Sequence, residues 1–170
     1  MGATILVPLE EYLSTVYRPD CDFVNGVIEE RNVGEADHSD AMAALVTYLR
    51  ARQAQFGAWA FLSLRVQIGP QQFRIPDVLV VLGEKPTGRY ITEPPFLGIE
   101  VLSPEDRMPR VLERIDEYLT FGVPYVWVID PESRRGWVYT ADSIQEAKDG
   151  VLRTANPEIA VPLTELFDGE

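Results

Sequence analysis

Three short, almost unbroken apolar runs constrain this chain more than any other feature: Val78 to Leu82, Phe96 to Leu102, and Tyr125 to Ile129. Runs of this length, rich in β-branched residues and without polar alternation, are strands covered on both faces. Helices must therefore flank the sheet they form. Met42, Leu45, Val46, Leu49 and Phe56 recur at helical spacing until Gly57, and Val111, Leu112, Ile115, Tyr118 and Leu119 do so until Gly122. Asn25-Gly26 between Cys21–Val24 and Val27–Glu30 predicts a hairpin, because both turn positions want positive φ. Trp59, Phe61, Leu64, Val66 and Ile68 are expected in one strand ending at Gly69-Pro70, with a return through Gln72 to Ile75. Gly136 to Tyr139 is expected to pair with the third apolar run, and Val161 to Phe167 to form a closing helix. The order of elements predicts a single α/β domain over residues 1–170, with a mixed central β-sheet flanked by α-helices.

Composition narrows the chemistry. One cysteine, Cys21, excludes an intramolecular disulfide, and one histidine, His38, excludes metal sites built on paired imidazoles or clustered thiolates. Asp and Glu outnumber Lys and Arg by 27 to 15, and the net charge of −12 disfavours nonspecific attraction to phosphate backbones. Any contact with nucleic acid must rest on a local patch. No apolar stretch is long enough to span a bilayer, so the expectation is a soluble, cytoplasmic protein without a membrane partner. Cys21 reads as a packed thiol, and Trp59, Trp127 and Trp137 as core residues.

Glu100 is the anomaly. It stands inside an apolar run, where an ionised carboxylate without a partner costs several kcal/mol, so a cation, a protein base or a metal ion must compensate it. Asp77 heads the preceding core run, behind Pro76. If the two strands are neighbours, both acids meet at one end of the sheet, and paired acids with open coordination positions suit a hard dication such as Mg²⁺. On the helix after Glu100, Arg107 and Arg114 fall within about 20° of each other and Arg110 about 40° further round, a cationic flank suited to a phosphodiester.

Taken in order, Pro76-Asp77 and Glu100 resemble the PD-(D/E)xK nuclease superfamily. More narrowly, Phe96 to Pro104, Tyr118 to Pro124 and Tyr125 to Pro131 resemble the Uma-two family of restriction endonuclease-like proteins, over about Leu9 to Phe167. The resemblance implies a restriction-endonuclease-like fold, with Asp77 and Glu100 holding Mg²⁺ or Mn²⁺ and the Val101 carbonyl as a further ligand. The superfamily's lysine normally stands two residues after the acid, where this chain has Leu102. In the Uma-two branch a lysine from the next helix takes over, and the matching position here is Arg114. By the same resemblance Glu35 and His38 face the site, Glu35 to orient water or a second ion and His38 to bridge to Glu100 or a phosphate.

The resulting expectation is a metal-dependent endonuclease acting on nucleic acid, with DNA as the expected substrate, in which Arg114 stabilises charge while Arg107 and Arg110 contact phosphates. The rival is a catalytically impaired descendant of the same scaffold, a nucleic-acid or partner-binding module, with a homodimer as one way to cover an exposed sheet edge.

Overall fold

In the computed structural model, which describes residues 3–168, the chain starts with α1 (Leu9–Ser14) and the hairpin β1 (Cys21–Val24) and β2 (Val27–Glu30). Asn25 and Gly26 take φ of 49° and 86°, as a two-residue turn of this kind requires. Next come α2 (Ala36–Ala51) and α3 (Gln53–Phe56), so the expected single helix breaks at Arg52. The strands β3 (Ala58–Leu62), β4 (Val66–Gly69), β5 (Gln72–Arg74), β6 (Val78–Leu82) and β7 (Leu97–Val101) lead to α4 (Met108–Phe121). Gly122 ends α4 at φ 113°, a conformation that suits glycine, its N–H donating to the Leu119 carbonyl and the Val123 N–H to the Tyr118 carbonyl. β8 (Tyr125–Asp130), β9 (Arg135–Tyr139), β10 (Ile144–Glu146), β11 (Val151–Arg153), β12 (Ala160–Pro162) and α5 (Thr164–Phe167) complete the chain.

Six strands form the central sheet in the order β10-β9-β8-β7-β6-β3, mixed because β7 and β8 run parallel while the other pairs are antiparallel. Strand alternation sends successive residues to opposite faces. Trp127 and Ile129 of β8 join Leu97, Ile99 and Val101 of β7 beneath Leu45 and Leu49 of α2 and Leu166 of α5. Val126 and Val128 instead meet Val111, Ile115 and Tyr118 of α4 on the other face. Both faces are thus covered, which is why these runs read as continuously apolar. Among the described residues no helix is long and apolar enough to cross a membrane.

Beside the expected mixed central sheet stands a second sheet of four strands, β2-β1-β5-β4, which takes in the Asn25-Gly26 hairpin. The segment expected to be one strand, Trp59 to Ile68, splits at Ser63, whose φ of 46° turns the chain from the central sheet into the second one. The closing segment also divides, into β12 and the short α5. Leu112, expected on the buried stripe of α4, is 44% exposed. Cys21 and Trp127 are buried as expected, whereas Trp59 and Trp137 are half-buried beside cations, Arg50 and Lys85 for the former and Arg135 for the latter.

Candidate active site

Because Leu97, Ile99 and Val101 point toward α2, the residue between the last two, Glu100, must point toward α4. On the neighbouring β6, Val78 lies opposite Ile99, and one further step along the ladder brings Asp77 opposite Glu100. The two acids therefore meet at one end of the sheet, both buried. The Val101 N–H donates to Asp77 Oδ2 at 2.8 Å, and the Tyr118 hydroxyl donates to Glu100 Oε1 at 2.9 Å.

The cation that compensates them is Arg31, a residue that sequence reasoning did not single out. It lies between β2 and α2, and its Nη2 donates to Asp77 Oδ1 at 3.1 Å and to Glu100 Oε2 at 2.8 Å. Its Nη1 is 3.8 Å from Asp22 Oδ2. Arg114, one turn before Tyr118 on α4, brings Nη2 to 3.6 Å from Glu100 Oε2 and 3.8 Å from Asp106 Oδ1. Two guanidinium groups thus answer two carboxylates, as burial of the acids demands. The only available signal for Arg31 was the requirement that some cation meet Glu100. Arg31 is 69 residues away from it in the chain.

These partners separate the two acids. Burial pushes the Glu100 carboxyl above its ordinary value, against the pull of Arg31 and Arg114. Burial acts on Asp77 in the same sense, but His38, Arg31 and the Val101 N–H outweigh it and hold that carboxyl below its ordinary value. His38 Nε2 is 3.5 Å from Asp77 Oδ2, and this carboxylate raises the imidazole's proton affinity against the effect of burial. His38 therefore engages Asp77, whereas the sequence reading gave it Glu100 or a phosphate. Glu35 is exposed at the head of α2 and does not line the cavity above the acids, so the structure does not bring it to the pair.

That cavity has a volume of about 660 Å³, and Arg31, His38, Asp77, Val101 and Arg114 line it. Arg107 and Arg110 add two exposed cations at its α4 wall, interspersed with Glu105, Asp106 and Glu113. Asn32 holds the two flanking links together by donating to Asp106 Oδ1 at 3.0 Å, while Asp106 Oδ2 accepts the Ser103 N–H at 2.8 Å. Among the described residues, four buried side-chain polar atoms lack a hydrogen-bond partner. Three of them, Arg31 Nη1, His38 Nδ1 and Arg114 Nε, belong to residues around the acids.

The donor set suits Mg²⁺ or Mn²⁺ in kind. Both ions take hard oxygen ligands, and Mg²⁺ commonly uses one or two carboxylates, leaving its other positions to water and phosphate. Among the described residues no group of three or more His, Cys, Asp and Glu is arranged to hold a metal, so a closed cage is absent and only the open kind of site fits.

Comparison with known proteins agrees with this architecture. A crystal structure of a protein from Anabaena variabilis ATCC 29413, described as a putative nuclease belonging to DUF820, superposes with a TM-score of 0.80 at 23% sequence identity, covering 95% of this chain and 98% of that one. No curated protein matches the chain. The model of the Uma2 family, described as "Putative restriction endonuclease", matches residues 9–165. With nearly its whole length matched, and with the mixed sheet and flanking helices of a nuclease-like fold, this chain belongs to the Uma2 family.

Proposed function

We propose that the protein is a metal-dependent endonuclease that hydrolyses phosphodiester bonds in DNA. The observation that carries this reading is the meeting of Asp77 and Glu100 on adjacent strands, with Asp77 lining a cavity that Arg107, Arg110 and Arg114 also line and Glu100 buried beside it. Asp77 and Glu100, with the Val101 carbonyl, are the residues that would hold Mg²⁺ or Mn²⁺. When bound, such an ion supplies Lewis-acid charge to the phosphate and makes water more acidic.

The chain's own residues do the rest. Arg114 offers its guanidinium to a nonbridging oxygen, where negative charge grows during in-line attack. It does not act as the base, since a guanidinium has only N–H donors and no acceptor. Arg107, just before α4, and Arg110 in its first turn meet flanking phosphates.

Supercoiled plasmid is expected to be nicked in the presence of Mg²⁺ or Mn²⁺ and to stay intact when EDTA removes the ion. Nicking that persists in EDTA, or intact plasmid with either ion, overturns the reading. Arg114 makes a separate prediction. Arg114→Ala is expected to lower the nicking rate by roughly a hundredfold or more, the cost of removing one preorganised donor to a developing oxyanion. Arg114→Lys restores the charge with a side chain that deprotonates more readily, so its rate is expected to equal or exceed that of the wild type. Rate constants for the two variants under one set of conditions check both statements, and an Arg114→Lys rate as low as that of Arg114→Ala contradicts the second.

A further inference from the structure

We infer that Arg31 is the resident cation of the acid pair, and that a dication binds there only when the Arg31 guanidinium leaves. This rests on the reading of Asp77 and Glu100 as a metal site. Each carboxylate has one oxygen already committed. Asp77 Oδ2 accepts the Val101 N–H and faces His38, and Glu100 Oε1 accepts the Tyr118 hydroxyl. The two remaining oxygens, Asp77 Oδ1 and Glu100 Oε2, are those left to hold an ion, and both are held by the same nitrogen, Arg31 Nη2, at 3.1 and 2.8 Å. An ion held by these oxygens would take up the lone pairs that now accept from Nη2, and Mg²⁺ draws its ligands to about 2.0–2.1 Å, closer than either oxygen stands to that nitrogen, so ion and guanidinium compete for the pair.

Charge leads to the same conclusion. Arg31 and Arg114 already neutralise the two acids, so a dication added without the loss of Arg31 would meet two cations at close range. The backbone at Arg31 is fixed by the bond from its N–H to the Asp20 carbonyl at 2.8 Å, so it is the side chain that turns. Asp22 Oδ2, 3.8 Å from the otherwise unpartnered Nη1, provides a second acid toward which it can turn. Arg31 thus holds the two acids together and makes metal binding competitive. If the guanidinium leaves the pair one time in ten, the apparent affinity for the ion falls roughly tenfold below the intrinsic one.

The test is calorimetric titration with Mn²⁺ alone of the wild type, Arg31→Met, Arg31→Lys and Asp77→Asn. Arg31→Met is expected to bind Mn²⁺ at least roughly tenfold more tightly than the wild type. Arg31→Lys is expected to fall between them, and Asp77→Asn to lose the site. Equal or weaker binding by Arg31→Met, with a wild-type site that depends on Asp77, overturns the role of Arg31 while leaving the metal reading intact. Binding by neither protein, or binding undiminished in Asp77→Asn, overturns both. Should Arg31→Met not fold, the wild type still decides. Saturating Mg²⁺ is expected to move the Arg31 Nε–Hε cross-peak in a nitrogen–proton NMR spectrum, and an unmoved peak overturns the inference.

Discussion

Arg74→Met is expected to destabilise the protein by about 3–5 kcal/mol, the cost of removing one partner from a buried ionic cluster. Arg74 is 1% exposed, and three acids converge on it. Its Nε and Nη2 donate to Glu117 at 2.6 and 2.9 Å, and its Nη1 donates to Glu29 at 2.7 Å and to Asp22 at 3.1 Å. The strand register explains the arrangement. Asp22 of β1 lies opposite Glu29 of β2, a like-charge pair that would repel, and the pairing of Phe23 with Phe73 brings Arg74 of β5 alongside Asp22. Methionine fills a similar volume but leaves the deeply buried Asp22 with only the Ile75 N–H and the more distant Arg31. For a domain of this length each kcal/mol shifts the melting temperature by about 2–4 °C, so thermal unfolding should reveal a loss on the order of 10 °C. Arg74→Lys is expected to recover little, because an ammonium cannot serve Glu117 with two parallel donors. A melting temperature unchanged in Arg74→Met would mean that the cluster is not holding the second sheet to α4. Since Glu117 sits between Arg114 and Tyr118 in the α4 sequence, the same substitution is also expected to loosen their hold on Glu100.

How much of this was legible in the sequence depends on the range of the interaction. The sheet core was legible because alternation and apolar runs are local: the pairing of Asp77 with Glu100 follows once two adjacent strands are recognised. The break at Ser63 was legible in principle too. Trp59 and Phe61 are odd-numbered whereas Leu64, Val66 and Ile68 are even, a slip of phase that a single strand cannot accommodate. Arg31 and Arg74 were not legible. Each owes its place to acids far along the chain, and nothing in Glu29-Glu30-Arg31 or Gln72-Phe73-Arg74 distinguishes them from solvated charges. Tyr118 was only half legible: helical spacing buries its ring but does not reveal that its hydroxyl serves Glu100. Glu35 shows the converse, a residue carried over by resemblance that the backbone at the head of α2 leaves exposed.

Asp77→Asn and Glu100→Gln are each expected to reduce nicking by a hundredfold or more while affecting stability differently. Loss of a residue that merely orients a metal ligand costs roughly 10–100-fold, so if the two acids hold the ion as proposed, loss of either should reach at least the upper figure. Stability follows the direction of each acid's shift. Asp77 is held below its ordinary value, so folding favours its ionised form, and that contribution is present above the unfolded-state pKa and lost as pH falls through the folded one. Asparagine removes this contribution at neutral pH, along with charge-assisted bonds to Arg31 and the Val101 N–H, a loss on the order of 2 kcal/mol. Glu100 is shifted the other way, so folding favours its neutral form, and the ionised form weakens the fold as pH rises. Glutamine keeps the shape and an acceptor for Tyr118 without that penalty and gives up the charge-assisted bond from Arg31, and its stability cost should be the smaller of the two. Parallel urea unfolding and plasmid nicking separate the effects: two inactive variants, with Glu100→Gln the more stable, is the expected pattern. An undiminished nicking rate in either variant would remove that acid from the site, and a greater loss of stability in Glu100→Gln would show that its pairing with Arg31 and Arg114 outweighs the cost of burying its charge.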